Sequence, residues 1–309
     1  MSITCGYMRQ RRERMPMKFS QLKALNTIAR VGSIQRAARE LAISQPALSK
    51  SIRTLELEFG VPLLRRSAKG VSLTEFGQAA VKRSQTIHKE MDRLSDEICW
   101  LKNERNGRLS IGITPLCSGP VLADAVAHMQ HDHPGVDISL TESRSNQILG
   151  GLRDGLFDLG LVTGVGEAPP SGGTILKRFS TRLLIGRADF SGSKSIDQLL
   201  AERWIDIDVS DEQNYISTLF KDEERRPARI FQCTSVSMAV DLAPRLGAII
   251  YLVEAALPFF SRLIEDGMLT PIETDFLLPA VNVYLVKSEG SMLSPAAERF
   301  VRFLTRDSQ

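Results

Sequence analysis

The stretch from Gly32 to Gly60, GSIQRAARELAISQPALSKSIRTLELEFG, constrains the fold more than any other part of the chain. It is typical of two short helices joined by a tight turn. Ser33 and Ser44 stand where helix N-caps are expected, and Pro46 falls in the first turn of the second helix, where its missing N–H costs nothing. Apolar residues at helical spacing predict the buried faces, namely Ile34, Ala37, Ala38 and Leu41, then Ala47, Leu48, Ile52 and Leu55. The pattern predicts a helix-turn-helix.

The opposite face of the second helix carries groups that suit nucleic acid. Gln45, Ser49 and Arg53 recur at i, i+4 and i+8, flanked by Lys50 and Thr54, so they share a face without an acidic residue. Amide, hydroxyl and guanidinium groups are the side-chain groups that contact base edges and phosphates. We therefore interpret this helix as a recognition helix.

The charge distribution supports a polyanionic partner for one end of the chain. Residues 1–75 hold 14 Lys/Arg against 5 Asp/Glu, which leaves 25 against 31 for the rest of the 309 residues. A basic module of about +9 on an acidic body of about −6 indicates polyanion binding by the module, with a solvated basic face as the alternative. The length predicts at least two domains.

Elements on either side complete a winged helix-turn-helix domain at residues 17–75. From Lys18 an apolar stripe predicts a supporting helix that Ser20 caps and Gly32 ends. After the recognition helix, two short strands joined by the basic turn RRSAKG read as a wing, with an ordinary charged turn as the alternative. The wing would place three basic residues along the phosphate backbone: Arg65, Arg66 and Lys69.

Residues 1–16 form a basic tract that we expect to be a disordered extension, with a phosphate-contacting arm as the alternative. Translation could instead begin at Met15 or Met17.

Residues 76–108 are predicted to form a dimerisation helix and a hinge. Thr74 can cap a helix that runs to about Lys102, and apolar residues within it step by 4, 3, 4 and 3, namely Ile87, Met91, Leu94, Ile98 and Leu101. This heptad seam favours pairing of two helices, because a DNA reader of this kind needs two copies to span two half-sites. Burial of the seam on the helix's own domain is the alternative. The polar segment NERNGR at 103–108 is the expected hinge.

From Leu109 the chain alternates strands and helices, which predicts parallel sheet with helices on both faces. A break rich in Gly, Pro and Ser, from Gly164 to Gly173, separates two such series. The expected domain at 109–309 therefore has two α/β lobes with a cleft between them. Lobe I would comprise about 109–165 and 270–309, and lobe II about 166–269.

Other chemistries find little support. The four cysteines show no CxxC spacing, so neither a disulfide framework nor a zinc ribbon is indicated and a reducing cytoplasm fits best. Cys117 and Cys233 are interpreted as buried or idle thiols, with a redox or electrophile sensor as the alternative. No apolar run is long enough to span a bilayer, so no membrane partner is expected.

Three histidines, His128, His131 and His133, lie close together at a predicted helix end. Cationic side chains complement the helix dipole there, so a structural role is favoured over a metal site. No metal or other cofactor is expected. The GxSxG, GxxxxGK[ST] and GxGxxG motifs are all missing, so the chain is not expected to be an enzyme.

From Met17 onward the chain resembles the LysR-type transcriptional regulator family. The specific part is residues 32–78, with an alanine pair, the turn SQPALS and a wing that ends in a threonine before a phenylalanine-glycine pair. The C-terminal two-thirds is similar to the family's effector domain through HPGVDISLTE, LRDGLFDLGLV and RLGAIIYL. The resemblance implies a winged helix-turn-helix followed by a two-lobed, periplasmic-binding-protein-like, doubly wound α/β domain.

The same resemblance implies a function. The chain would be a DNA-binding regulator, a homodimer or homotetramer that binds an interrupted palindrome near a promoter, acts on RNA polymerase and responds to a small-molecule effector such as an organic or aromatic acid. A nucleoid-type DNA-binding protein without effector and a two-lobed small-molecule receptor or enzyme are the alternatives.

Site residues follow from the resemblance position by position. Those that would read DNA are Gln45, Pro46, Ser49, Lys50 and Arg53, with Ser33 and Arg36 near the backbone. Effector contacts map to Thr114, Leu116, Cys117 and Ser118, to Ser145 and Asn146, and to the loops near Ser210 and Ser235. Leu116 stands where many family members have a serine, which leaves Thr114, Cys117 or Ser118 to contact a carboxylate.

Overall fold

The computed structural model describes residues 17–67, 70–102, 106–166, 169–170, 172–187, 190, 193–207, 214–221, 226–227, 229–288 and 292–306. The predicted extension at 1–16, Lys69, Ser210 and residues 103–105 of the expected hinge lie outside these residues. The chain divides into two compact units, one ending at Ile98 and the other beginning at Cys99.

The first unit is a winged helix-turn-helix. Its elements are α1 (Phe19–Val31), α2 (Ile34–Glu40), α3 (Gln45–Phe59), β1 (Leu64–Ser67), β2 (Gly70–Leu73) and α4 (Glu75–Leu101), whose last residues belong to the second unit. The first three helices bury one apolar cluster that includes Leu25, Ala37 and Leu55. The two strands pair antiparallel as the predicted wing.

Local capping explains where these helices begin and end. The hydroxyl of Ser33 accepts the N–H of Arg36 at 3.4 Å, and that of Ser44 accepts the N–H of Ala47 at 3.3 Å. Gly32 ends α1 at a φ of +69°, a backbone conformation that L side chains rarely adopt. The predicted cap at Ser20 is wrong, because α1 already begins at Phe19 with Lys18 in the cap position.

The second unit contains two lobes. Its elements are β3 (Gly107–Ile113), α5 (Pro120–Asp132), β4 (Val136–Glu142), α6 (Ser145–Arg153), β5 (Leu159–Val165), β6 (Gly173–Phe179), β7 (Thr181–Ile185), β8 (Ser193–Lys194), α7 (Ile196–Leu200), β9 (Arg203–Asp206), α8 (Tyr215–Leu219), β10 (Arg229–Gln232), α9 (Val236–Leu246), β11 (Ile249–Val253), α10 (Ser261–Glu265), β12 (Thr270–Thr274), β13 (Val281–Lys287) and α11 (Pro295–Arg306). Short 3₁₀ helices cover Pro115–Cys117 and Glu254–Phe260.

Each lobe is built on one mixed sheet. The first lobe has the order β4-β3-β5-β13-β6, and the second has β10-β9-β11-β7-β12-β8. β3 is parallel to β4 and β5, whereas β13 runs antiparallel to both of its neighbours. The predicted parallel arrangement is therefore wrong at β13, since this strand returns from the second lobe in the opposite direction. It is also wrong at β7, which runs antiparallel to β11 and β12 in the second sheet.

Strands β6 and β12 each belong to the lobe opposite to the one predicted. β12 pairs with β7 in the second sheet, because Ile272 lies opposite Leu183 and both are buried in the second lobe's core. β6 pairs with β13 in the first sheet. The crossings between lobes consequently lie at Ser180 and at 275–280, where the Thr181 hydroxyl donates to the carbonyl of Pro279 at 2.8 Å.

Helices cover both faces of the first sheet, as expected. α5 and α11 pack on the face that carries Leu161, and α6 packs on the face that carries Val162. In the second lobe, the backbone of α9 approaches the residue that follows β7 so closely that a Cβ at Gly186 would lie 2.0 Å from the carbonyl oxygen of Ala243. Among the described residues, no helix combines the length and the apolar character that crossing a membrane requires.

Candidate nucleic-acid interface and effector cleft

The recognition helix α3 separates an apolar face from a polar one. Leu48, Ile52 and Leu55 are buried, whereas Gln45, Pro46, Lys50 and Arg53 are exposed and Ser49 is half-buried. Ala47 was predicted to be buried and is exposed, because the buried face begins one residue later. The structure therefore brings the predicted DNA-reading residues of α3 together on one accessible surface.

Glu56 of α3 binds the start of the wing. The carboxylate of Glu56 accepts the N–H of Leu63 at 2.8 Å and that of Leu64 at 3.1 Å, which ties α3 to the first strand of the wing. A shallow depression at this point is lined by Ser49, Lys50, Ile52, Arg53, Glu56 and Leu64. Lys50 and Arg53 are exposed on this side of α3, and cationic side chains suit contact with phosphates and bases.

The residues predicted to contact the DNA backbone lie outside α3, and some of them already have partners within the protein. The hydroxyl of Ser33 is engaged as a helix cap, and the exposed guanidinium of Arg36 donates to the carbonyl of Val31. Arg65 is exposed on β1, directly across the wing from Ser72. Arg66 is the next strand residue, paired with Val71.

Helix α4 carries the predicted seam on its surface. Ile87, Met91, Leu94, Ile98 and Leu101 are between 41% and 75% exposed. Burial of this face on the helix's own domain is therefore wrong, because the apolar stripe is exposed in the single chain.

The loop after β3 turns its predicted polar contacts inward. Thr114 is buried, and its hydroxyl lies 3.2 Å from the sulfur of Cys117 and 3.4 Å from the carbonyl of Leu161. Burial raises the pKa of the Cys117 thiol, and the hydrogen bonds to Thr114 offset only part of that rise. Leu116 packs against the cluster that forms most of the second lobe's core, and Ser118 is exposed.

Two helix N-termini supply the remaining predicted effector contacts. Ser145 opens α6 and donates its hydroxyl to the carbonyl of Thr163 at 3.0 Å, while Asn146 beside it is exposed. Ser235 caps α9 by accepting the N–H of Met238 at 3.4 Å. Free N–H groups at such ends favour anionic groups.

Comparison with known protein families matches two models in chain order. Residues 19–78 match the model described as "Bacterial regulatory helix-turn-helix protein, lysR family", and residues 102–309 match "LysR substrate binding domain". The second match alone spans more than half of the chain. The chain belongs to the LysR family.

Curated relatives of this LysR-family chain are named as transcriptional regulators. It is 28% identical over 191 residues to the HTH-type transcriptional regulator TdcA of Escherichia coli (strain K12), a match covering 61% of each chain. It is 32% identical over 154 residues to the uncharacterized HTH-type transcriptional regulator YybE of Bacillus subtilis (strain 168), covering 50% of this chain and 53% of the relative. The chain thus spans about half to three-fifths of the length of these relatives. The family consists of transcription regulators and not of enzymes.

Solved LysR-family structures share the fold. Full-length CbnR complexed with its target DNA superposes with a TM-score of 0.63 at 20% identity, covering 95% of this chain and 100% of that one. A full-length OxyR variant from Pseudomonas aeruginosa gives a TM-score of 0.65 at 18% identity, covering 95% and 94%. The likeness confirms an N-terminal helix-turn-helix and a C-terminal mixed α/β domain.

Residues near the lobe crossings escaped the sequence analysis. The rings of Tyr215 and Tyr251 stack with centroids 4.0 Å apart, and the hydroxyls of Tyr215 and Thr181 lie 2.7 Å apart. Burial raises the pKa of Tyr215, with the Thr181 hydrogen bond acting weakly against it. Asn282 is buried and donates its amide to the carbonyl of Gly166. A lone asparagine in the apolar strand VNVYLV was the available signal.

The histidines have local partners. Nδ1 of His128 lies 2.8 Å from the carbonyl of Asp124, and its ring stacks on Phe303. The ring of His133 lies against Trp100. Within the described part of the chain, no group of three or more His, Cys, Asp or Glu is arranged to hold a metal ion. Ring packing supports the structural interpretation of His128 and His133.

Proposed function

We propose that this LysR-family chain is a transcription regulator that reads an interrupted palindrome near a promoter through the exposed face of α3. The observation that carries the proposal is that face itself, where Gln45, Lys50 and Arg53 are exposed beside a half-buried Ser49 and the nearby Glu56 carboxylate is engaged by the wing. Arg65 on the wing adds affinity that depends on salt and not on sequence.

Two copies would bind together through α4. Its apolar stripe is exposed along more than three turns, and pairing of two such helices spaces two recognition helices for two half-sites. A homodimer accounts for this interface, and a homotetramer needs a second one in the effector lobes. RNA polymerase is the proposed partner of the complex at a promoter, with no residue assigned to that contact.

A small molecule in the cleft between the lobes would modulate DNA binding. The carboxyl ends of β3, β4 and β5 meet at one edge of the first sheet, where ligands of open α/β sheets bind. An organic or aromatic acid suits the N-terminus of α6 better than the loop at 114–118, because Thr114 and Cys117 are turned inward. The effector shifts DNA binding only by its differential affinity for two arrangements.

Capture of genomic DNA fragments by the purified full-length protein, at about 150 mM salt with random duplex as competitor, tests the proposal. Enrichment of a few promoter fragments that share an interrupted palindrome is the expected result, and neighbouring genes would then nominate effectors. Uniform recovery of all fragments would favour a nucleoid-type protein. No recovery would favour a receptor or enzyme built on the two lobes.

A further inference from the structure

The last turn of α4 carries an aromatic side chain that packs on the first lobe. Trp100 is half-buried and contacts the apolar cluster that α5 and α11 form over the five-stranded sheet. Its ring centroid lies 5.1 Å from that of His133, with the ring planes 49° apart. Leu101, the next residue, is exposed. Trp100 is therefore the apolar side chain of this turn that attaches the helix to the lobe.

His133 is a fixed partner at the end of α5. It is 4% exposed, its N–H donates to the carbonyl of Met129 at 2.9 Å, and its own carbonyl accepts the N–H of Val136 at 3.1 Å, where β4 begins. β4 ends at Glu142, just before the N-terminus of α6 at which we place the effector. One strand thus joins the proposed effector site to His133.

We propose that the Trp100–His133 contact couples the effector lobe to the dimerisation helix. The boundary between units lies before Cys99, ahead of the hinge expected at 103–108, so the last turn of α4 groups with the lobe. Displacement of β4 by an effector bound at the N-terminus of α6 moves His133, and Trp100 carries that movement into α4. Trp100 is a positioning residue, because it acts through the helix. The coupling rests on the proposed function, since it takes α4 as the pairing helix and the cleft as the effector site.

Hydrogen exchange on the full-length protein tests the attachment. Trp100→Ala and Phe303→Ala each remove one aromatic ring from the same cluster, but Phe303 packs on His128 and lies in α11. Amides of residues 95–102 should exchange about tenfold faster in Trp100→Ala and within about twofold of wild type in Phe303→Ala. Trp100→Phe, which keeps a ring, should restore most of the protection. Equal acceleration in the two alanine variants, or none in Trp100→Ala, would overturn the attachment.

Tolerance to half-site spacing tests the coupling. The duplexes carry the two half-sites found by genomic capture, separated by spacers of varied length. Wild type and Phe303→Ala should accept a narrow range of spacers, whereas Trp100→Ala should accept spacers longer or shorter by about two base pairs with the same half-site preference. An unchanged range in Trp100→Ala refutes the coupling alone. A wild type that selects no shared half-site refutes the proposed function instead.

Discussion

Among single residues, Arg53 offers the most direct test of DNA reading. Its side chain is exposed on the polar face of α3. If it contacts a base, Arg53→Ala should weaken binding to the specific site by about 1–3 kcal/mol and binding to random duplex by much less. Fluorescence anisotropy at fixed salt measures both. Arg302→Ala, which removes the same charge from an exposed position on α11, is the matched control. An equal loss on both duplexes would make Arg53 a phosphate contact.

Cys117 offers a test of pH dependence. Its pKa is raised by burial, so the folded protein holds the neutral thiol at a pH where an ordinary cysteine is already thiolate. Alkylation by iodoacetamide, followed by mass spectrometry, should keep accelerating above a pH of about 8.5. Thr114→Val removes the hydrogen bond that lowers this pKa, so its profile should move to still higher pH. A profile that levels off at neutral pH would contradict the inward placement of this loop.

Among the elements, the packing of α9 on β7 depends on a residue without a Cβ. A methyl group at Gly186 would lie 2.0 Å from the backbone oxygen of Ala243. The clash cannot be relieved by a change of rotamer, because the atom it meets belongs to the backbone and not to a flexible side chain. Gly186→Ala should lower the free energy of unfolding by at least about 2 kcal/mol. Gly150→Ala is the matched control, since Gly150 lies inside α6 with nothing within 4 Å of the added atom. It should raise stability by about 0.4–1 kcal/mol. Urea unfolding compares the two, and similar losses in both would contradict the close approach.

Element boundaries were predictable where the signal acts within one turn. Helix starts are predictable at Ser33 and Ser44, because each side chain accepts an N–H of the turn that follows. The end of α1 is predictable at Gly32, because glycine adopts the left-handed backbone conformation found there. The sheet that takes β12 was not predictable, because its pairing with β7 joins distant parts of the chain and an alternating strand fits either sheet. The inward orientation of Thr114 was not predictable for the same reason. The carbonyl of Leu161 that accepts its hydroxyl lies on another strand, far along the chain.

For the whole molecule, the exposed stripe of α4 predicts the oligomeric state. Leu94→Asp should dissociate the oligomer, because it places a carboxylate in an apolar seam. Gln85→Asp adds the same charge at an exposed position on the opposite face of the helix and should leave assembly unchanged. Sedimentation velocity measures both. Binding to a duplex with two half-sites should weaken in Leu94→Asp while binding to one half-site persists. A variant that remains oligomeric would place the interface elsewhere.

The position of β13 has a consequence for biosynthesis. This strand lies between β5 and β6, yet it follows nearly the whole second lobe in the chain. At about 5–20 residues per second, a ribosome leaves β5 without this neighbour for on the order of ten seconds. During that interval a nascent chain exposes an open apolar sheet edge that a chaperone can hold. We expect limited proteolysis of released chains truncated just after β12 to cut within β5 and spare the second lobe. Protection of both would mean that the first lobe closes without β13.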